Sequence, residues 1–331
     1  MTEFKAFEPV LRSELEDDTI CYLQDVKGGI VNRAALFVSE KTSDKYFVKY
    51  HDGEQDLAET MFSTEKYSLD LLERTKIVHV PKSIKIFGLQ NHRFRGGIHV
   101  LEYIEDLQPM TDYWPQLGEQ VARLHSYNSN LRKKASQSEQ SIHRSEHLLE
   151  PRDKFGSDVP HFIGTFHPRD GWRDTWEEYF LGDIVNPLFE GLEQKHGDRV
   201  VSEKWSAIKQ HIHKVFQSAD IQPEINHGDL CPANFGQTAD GAVVFDPSVN
   251  YAHSEFDLII AKTEGGFHDD FFTSYYNILP KAKGFEDRVL VYELFYNVVM
   301  WYHVPEGQAR EATIKSLDQV KELIKNISSA N

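Results

Sequence analysis

The sequence pattern changes near residue 104, from short β-type runs to amphipathic helices. Five β-type runs with turn residues between them precede this point: "TICYLQDV", "AALFVSE", "KYFVKY", "IKIFGLQ" and "GGIHVLEYI". Strands at such close spacing predict a small antiparallel sheet. Helical periodicity follows, beginning with Trp114, Leu117, Val121 and Leu124. We therefore predict an α+β, bilobal protein, with a β-rich lobe (residues 1–104), a larger helical lobe (residues 105–331) and a ligand crevice between them.

A helical segment, Leu57 to Glu73, interrupts the strand-rich lobe. Its apolar face is formed by residues at helical spacing: Ala58, Met61, Phe62, Leu69 and Leu72. Glu65 falls on the same face, where a carboxylate is costly unless a cation lies nearby. Lys49, in the middle of "YFVKY", is the candidate partner, since such a Lys–Glu pair holds the α- and β-phosphates in kinase-like enzymes. An ordinary edge-strand lysine is the alternative, but the position of Glu65 favours the pair.

The overall charge argues against nucleic acid and anionic membranes as partners. The 331 residues include 52 acidic and 36 basic ones, a formal charge of −16, and such a field repels polyanions. A phosphate substrate would therefore need local cations or a metal. The two cysteines, Cys21 and Cys231, suggest no disulfide framework and fit a reducing compartment.

No targeting or membrane segment stands out in the sequence. The start, "MTEFKAFEPVLRSELEDD", lacks the apolar region of a secretory signal. The most apolar run, "VLVYELFYNVVMWYHV", is interrupted by Glu293 and is too short to span a bilayer, so it predicts a buried helix. The polar run "RKKASQSEQSIHRSEH" predicts an exposed, mobile loop. We expect a cytoplasmic protein that is a monomer or a weak dimer.

The stretch "INHGDLCPANFGQTADGAVVFDPS", residues 225–248, gathers oxygen ligands around one turn. Asp240-Gly241 predicts a β-hairpin, because a tight turn needs positive φ. A two-residue loop places Phe235 opposite Asp246, and a three-residue loop places Asn234 opposite Asp246. In both registers the side chains of Asn234 and Asp246 are expected about one strand spacing apart, roughly 5 Å.

The spacing within this stretch matches the catalytic loop of protein kinases. Asn234 follows Asp229 by five positions, as the metal-binding Asn follows the catalytic Asp in that loop. Asp246, in "DPS", takes the second metal-binding position, and oxygen ligands of this kind favour Mg²⁺ over zinc. Taken singly, Asp229 and Asp246 would more often cap turns. The joint spacing and the hairpin favour a phosphoryl-transfer site.

Two further segments would complete a nucleotide site. "VKGGIVNRAA" is a candidate phosphate-covering turn, with Gly28 and Gly29 allowing close backbone approach, although a plain hairpin turn explains it nearly as well. "VLEYIED" would be the linker between the lobes, with the backbone of Glu102 and Ile104 available to adenine. His125, in "ARLHSYN", is interpreted as a core or turn residue.

Together, these residues make the chain resemble the fructosamine (ketosamine) 3-kinases, in the aminoglycoside-phosphotransferase-like branch of the protein-kinase fold. The resemblance runs nearly end to end and is most specific in "HGDLCPANFG", "VVFDPSVNYAHSEFDL", "GGFHDDFFTSYY" and "PKAKGFEDRVLVYELF". It implies transfer from ATP, with Mg²⁺, to the 3-hydroxyl of a ketoamine on an amine or a protein lysine, after which the unstable product sheds its sugar. By position, it implies that Asp229 is the base, that Asn234 and Asp246 hold Mg²⁺, and that Lys49 and Glu65 position ATP.

The chain departs from the family mainly on the acceptor side. Cys231-Pro232 stand where the family commonly reads Trp and a small residue, and Cys231 is expected to lie against the substrate. His253 and Glu255, in "HSEFDL", are further candidates for the substrate side. Two alternatives stay open. One is a phosphotransferase for a different small hydroxyl acceptor; the other is a nucleotide-binding protein with little catalysis, against which the presence of all five core site residues counts.

Overall fold

The protein was analysed as a computed structural model, which describes residues 3–27, 31–89, 94–137 and 149–330. The described strands are β1 (Ile20–Val26), β2 (Arg33–Ser39), β3 (Lys45–His51), β4 (Ser83–Gly88), β5 (Gly97–Glu102), β6 (Glu224–Asn226), β7 (Phe235–Thr238), β8 (Gly241–Val244) and β9 (Asn250–Ala252). The described α-helices are α1 (Glu8–Glu14), α2 (Gln55–Thr75), α3 (Trp114–Leu124), α4 (Tyr127–Gln137), α5 (Asn186–His196), α6 (Arg199–Ile208), α7 (His213–Phe216), α8 (Ser254–Thr263), α9 (Asp269–Ile278), α10 (Phe285–His303) and α11 (Ala309–Ala330). Glu3–Phe7 forms a short 3₁₀ helix and Glu178–Val185 a π-helical segment.

The first five strands form one antiparallel sheet in the order β1-β2-β3-β5-β4, which confirms the predicted sheet. Strand β3 lies at its centre, where Lys49 is paired with Ala34 of β2 and with His99 of β5. Successive side chains of a strand point to opposite faces. Val48 accordingly lies buried in the apolar cluster on one face, and Lys49 points to the other.

Helix α2 packs against the face of the sheet that carries Lys49, as the predicted helix requires. The buried residues of α2 include most of its predicted apolar face: Ala58, Phe62, Leu69 and Leu72. The approach to β5 is close, because a Cβ placed on Gly97 would lie 3.0 Å from the Cβ of Ala58. Lys76, in a left-handed conformation, ends the helix. This packing holds Glu65 directly over β3.

An aromatic cluster forms the centre of the helical part. The ring of Trp176 stacks on Phe180 at 5.1 Å, and Phe180 meets Tyr292 of α10 edge to face at 5.3 Å. Helix α10 contains the most apolar run of the chain, and its burial confirms the predicted buried helix. Along the described chain, no helix combines the length and the apolarity needed to cross a membrane.

A second apolar cluster crosses between the strand-rich and the helical parts. It joins Leu72 of α2 and Leu101 of β5 to Val121 of α3, and it continues to Leu230 and Phe235 on either side of the predicted catalytic loop. Because protein interiors pack densely, such a shared cluster fixes the relative position of the elements it joins. The sheet and the catalytic loop are therefore held against each other.

The structure corrects the prediction for residues 132–147. Residues up to Gln137 belong to helix α4, and the remaining positions lie outside the described residues. The buried residue of α4 is Asn128, whose side-chain nitrogen donates to the carbonyls of Arg152 and Pro223. Polar contacts with distant segments hold this helix, so an apolar periodicity could not reveal it.

Candidate active site

Two short strand pairs bring together the acidic residues of the stretch 225–248. Strands β7 and β8 form a hairpin, and β6 pairs with β9. Asp229 lies between β6 and β7, and Asp246 lies between β8 and β9. Both pairs therefore anchor the same two loops, one carrying Asp229 and the other Asp246.

The hairpin confirms the predicted element, but both predicted registers are wrong. Thr238 pairs with Gly241, so the turn residues are Ala239 and Asp240, and Phe235 pairs with Val244. The backbone of Asn234 accepts a hydrogen bond from Phe245, and Asp246 follows in a left-handed conformation with φ of 58°. Asp246 therefore leaves the hairpin ladder and is not a cross-strand neighbour of Asn234.

Gly241 is required by the close packing of α3 and not by the turn, which is why it led to the wrong hairpin register. A Cβ on Gly241 would lie 2.6 Å from the side-chain oxygen of Gln116, and φ at Gly241 is +135°. The same oxygen accepts a hydrogen bond from the backbone of Ala242 at 2.8 Å. The glycine makes room for the Gln116 side chain and does not occupy a central turn position.

Gly228 brings the two loops into backbone contact immediately before Asp229. Its φ is +86°, and a Cβ there would lie 1.8 Å from the carbonyl oxygen of Ser248. Glycine alone tolerates both conditions. The backbone of Ser248 also donates to the carbonyl of His227 at 2.9 Å.

Asp257, on α8, binds the backbone that leads into the predicted catalytic loop. It was not singled out from the sequence. Its carboxylate accepts from the backbone of His227 at 2.7 Å and of Gly228 at 2.9 Å. His125 lies 3.1 Å away through Nε2, and its Nδ1 lies 2.8 Å from the hydroxyl of Tyr275. The interpretation of His125 as a core residue fits this position. A carboxylate on the buried face of α8, in "HSEFDL", was the available signal for Asp257.

Asn234 is bound directly to Asp229. Its side-chain nitrogen donates to Oδ2 of Asp229 at 2.8 Å and to the backbone carbonyl of Asp229 at 2.9 Å. Because the amide nitrogen is used in this way, the carbonyl oxygen of Asn234 is the atom left for another ligand. The predicted pair is thus together in the fold, with its donor and acceptor atoms assigned.

Lys49 lies between two carboxylates contributed by different parts of the chain. Its Nζ donates to Oε1 of Glu65 and to Oδ1 of Asp246, each at 2.7 Å. The predicted contact between Lys49 and Glu65 is therefore present, while the contact with Asp246 was not predicted. Lys49 and Glu65 are almost fully buried, whereas the Asp246 side chain is 48% exposed. The lysine connects the sheet, α2 and the loop after β8.

His99, on β5, was also missed and holds the other oxygen of Glu65. Its Nδ1 lies 3.1 Å from Oε2 of Glu65, and its Nε2 lies 2.8 Å from the hydroxyl of Ser83. A carboxylate only accepts hydrogen bonds, so Nδ1 carries the proton. His99 is fully buried, which fixes the orientation of the Glu65 carboxylate.

Charge pairing sets the protonation of the lysine and its buried partner. Burial alone would raise the pKa of Glu65, but Lys49 and His99 outweigh it and lower the pKa to about 2. Burial alone would likewise lower the pKa of Lys49, but Glu65 and Asp246 outweigh it and raise the pKa. Both groups are therefore ionised near neutral pH.

Asp229 has the opposite environment. Burial, followed by the negative charge of Asp246, raises the pKa of Asp229 to about 7, against a lowering contribution from the hydrogen bond of Asn234. A carboxylate with such a pKa can accept a proton near neutral pH. The two acids of the site, Glu65 and Asp229, are thus tuned in opposite directions.

The remaining predicted residues are placed as follows. Cys231 is half-buried beside Asp229, and burial and that neighbour raise the pKa of its thiol to about 12, so it is not a reactive thiolate. The backbone N–H of Glu102 already donates to the carbonyl of Lys82, and Ile104 follows the end of β5. Gly28 and Gly29 lie outside the described residues.

The structure places His253 and Glu255, the two predicted substrate-side residues, against the helical core. His253 is buried, with Nδ1 2.6 Å from the hydroxyl of Tyr292. Glu255 accepts two hydrogen bonds from Arg288, at 2.6 and 2.7 Å, and the guanidinium of Arg288 is fully buried. An unpaired guanidinium would be very costly there, so Glu255 serves the helical core.

The fold is protein-kinase-like. Aminoglycoside phosphotransferase APH(4)-Ia matches with a TM-score of 0.57 and 11% identity, covering 97% of this chain and 98% of that chain. A candidate fructosamine-3-kinase from Thermobifida fusca matches with a TM-score of 0.71 and 19% identity, covering 95% of this chain and 99% of that chain. These structures share the fold and confirm the predicted fold class.

Sequence comparisons give the family along nearly the whole chain. The family model described as fructosamine kinase matches residues 4–322. Ketosamine-3-kinase of Mus musculus is 30% identical over 302 residues, covering 91% of this chain and 95% of that protein. The chloroplastic protein-ribulosamine 3-kinase of Oryza sativa subsp. indica is 25% identical over 304 residues, covering 92% of this chain and 80% of that protein. The chain belongs to the fructosamine kinase family, which confirms the resemblance seen in its motifs.

Proposed function

We propose that this protein is a ketosamine 3-kinase, which transfers the γ-phosphoryl group of ATP to the 3-hydroxyl of a sugar-derived ketoamine. The acceptor would be carried by a small amine or a protein lysine. The observation that carries the proposal is the Asp229–Asn234 pair beside the Lys49–Glu65–Asp246 group, in a chain of the fructosamine kinase family. The proposed base, metal-binding oxygens and phosphate-binding cation would then be neighbours in the fold.

The residues present fit a magnesium ion. Asn234 has its carbonyl oxygen left for a ligand, and the Asp246 carboxylate is half exposed although most of its surroundings are buried. Two oxygen donors suit Mg²⁺, which takes its remaining ligands from phosphates and water. When bound, the ion would neutralise charge on the phosphate oxygens. The residues on the protein side would be Asn234 and Asp246.

Asp229 would act as the base. Its carboxylate is fixed by the hydrogen bond from Asn234, and its pKa of about 7 suits removal of a proton from the acceptor hydroxyl as the phosphoryl group is transferred. Such a base typically contributes roughly 10²–10⁴-fold to the rate. Positioning and charge neutralisation supply the rest in enzymes of this type.

The strand-rich lobe, residues 1–104, would bind the nucleotide. Lys49 would contact the α- and β-phosphates, and Glu65 would hold it in place. The adenine would contact the backbone of Glu102 through its carbonyl, since its N–H is already used, and the backbone of Ile104. Gly28 and Gly29 remain the predicted phosphate-covering turn.

The product, a ketoamine 3-phosphate, would be unstable and release its sugar, which makes the reaction a deglycation. We place the enzyme in the cytoplasm as a monomer or weak dimer. A phosphotransferase for another small hydroxyl acceptor is the second candidate, because Cys231-Pro232 lie directly beside Asp229.

The test is incubation of the wild-type protein with MgATP and either fructoselysine or ribuloselysine. Mass spectrometry would follow the phosphorylated ketoamine, and an amine assay would follow release of free lysine. We expect phosphate on C3 and later loss of the sugar for at least one substrate. Transfer to neither, with MgATP still raising the melting temperature, would favour another acceptor.

A further inference from the structure

The turn after helix α8 lies against the predicted catalytic loop. Gly265 and Gly266 both have positive φ, at 75° and 80°, and reverse the chain there. A Cβ on Gly266 would lie 2.8 Å from Cγ of Pro232, so this turn touches the catalytic loop. The ring of Phe267 then packs on Phe235 at 4.9 Å. The turn therefore contacts Pro232, within the segment between Asp229 and β7, and Phe235, the first residue of β7.

Glu264 begins this turn and is held by α10. The hydroxyl of Tyr296 donates to Oε1 of Glu264 at 2.8 Å, while the Glu264 side chain remains exposed. One carboxylate oxygen is therefore oriented by the tyrosine, and the charge stays accessible to a ligand. A hydrogen bond that only joins α8 to α10 would need no charge, since a neutral side-chain oxygen would accept it equally well.

The contact with Pro232 places the turn beside the segment that carries the proposed base. Pro232 lies three positions after Asp229, and the backbone N–H of the intervening Cys231 donates to the carbonyl of Asp229 at 2.9 Å. Glu264, two positions before Gly266, is therefore close to the residues proposed to face the acceptor.

We propose that Glu264, oriented by Tyr296, binds the positively charged amine of the acceptor and so selects cationic ketoamines. This inference rests on the proposed function. A ketoamine formed from an alkylamine keeps its nitrogen as a secondary amine, which is largely protonated near neutral pH. That nitrogen is bonded to C1 and the reacting hydroxyl to C3, so the cation lies close to the base. A carboxylate beside the catalytic loop matches this separation.

The test compares kinetics with a cationic and a neutral acceptor. Fructoselysine is protonated on its glycated nitrogen, whereas its analogue acetylated on that nitrogen is uncharged there and keeps the same α-ammonium and carboxylate groups. Glu264→Gln keeps a hydrogen-bond acceptor for Tyr296 and removes the charge. We expect KM for fructoselysine to rise about two- to fivefold, as for an exposed ion pair, with kcat within about twofold. KM for the acetylated analogue, or its inhibition constant if it is not turned over, should not change.

Two further variants separate a local from a general effect. Glu322→Gln on α11 makes the same charge change elsewhere and should leave both KM values unchanged. Tyr296→Phe keeps the charge but frees the carboxylate, and should raise KM for fructoselysine less than Glu264→Gln does. Added salt should raise KM of the wild type for fructoselysine and affect Glu264→Gln less.

Three outcomes would overturn the inference. An unchanged KM for fructoselysine in Glu264→Gln would exclude charge recognition by this residue. An equal rise for both acceptors would indicate a structural role of the turn. If the wild type phosphorylated neither fructoselysine nor ribuloselysine, the proposed function itself would be wrong and the inference would fall with it, which distinguishes the two failures.

Discussion

The proposed nucleotide side and the proposed acceptor side of this site set the charge of a carboxyl group in opposite ways. On the nucleotide side, the Glu65 carboxylate is buried between Lys49 and His99, and its pKa falls to about 2. On the acceptor side, the Asp229 carboxylate is half-buried near Asp246, and its pKa rises to about 7. The same chemical group is thus fixed as an anion in one place and prepared to take a proton in the other. The difference is the presence of a cation.

The free energy of unfolding should be more sensitive to loss of a charge on the nucleotide side than on the acceptor side. Lys49→Met removes the cation between Glu65 and Asp246 and leaves a buried carboxylate without its main partner. We expect the free energy of unfolding to fall by about 3–5 kcal/mol, which urea denaturation would measure. Lys66→Met breaks an exposed pair with Asp70 and should cost at most about 1 kcal/mol. Equal, small losses in both variants would contradict the assignment of Lys49 as a buried structural cation.

Substitution of Glu255 tests whether this residue stabilises the helical core or binds the acceptor. Glu255→Gln leaves the buried guanidinium of Arg288 without an anionic partner, and we expect a loss of about 2–3 kcal/mol in unfolding free energy. Steady-state kinetics should give an acceptor KM within about twofold of the wild type after correction for folded enzyme. Glu286→Gln, which breaks an exposed pair with Lys281, is the matched control. A raised KM without lost stability would restore Glu255 to the substrate side.

Two buried histidines sharpen the same comparison, because His99 contacts a carboxylate and His161 does not. His161 contacts the Ser248 hydroxyl at 3.1 Å, and burial, with a smaller contribution from His167, lowers the pKa of His161 to about 4. The folded state therefore resists protonation of His161. Its contribution to stability is complete above the unfolded pKa of about 6.5 and is lost as the pH falls from there toward 4.

The expected size of this effect is about 2 kcal/mol between pH 8 and pH 5. Denaturation of the wild type and of His161→Gln at both pH values would measure it, with the variant losing less stability on acidification. His211→Gln, at an exposed position away from His161, should keep the pH dependence of the wild type. Identical pH dependence in all three proteins would show that His161 titrates normally in the folded state.

Local patterns predicted the parts of the site that lie within one element. The sheet, α2 and the position of Glu65 on its buried face follow from periodicity, and that position in turn indicated Lys49. Apart from the contact between Lys49 and Glu65, contacts between distant segments could not be predicted from the sequence. The hairpin register depends on Gln116 of α3, and the burial of Glu255 depends on Arg288 of α10.

The residues that sequence reasoning missed share this property. His99 and Asp257 act through partners on other elements. No spacing along the chain marks His99, and the only signal for Asp257 was a carboxylate on the buried face of α8. Asn234 and Asp229 were found because they lie five positions apart in one loop. The roles assigned to these residues and the division of the lobes at residue 104 remain predictions.

The central claim is that Asp229 serves the acceptor while Lys49 and its partners serve the nucleotide. The most direct measurement is Asp229→Asn beside the wild type, assayed both for transfer to fructoselysine and ribuloselysine and for the rise in melting temperature with MgATP. The account predicts that the variant keeps the MgATP-dependent rise and loses at least about 10²-fold in kcat. A variant that transfers phosphate at the wild-type rate would contradict it.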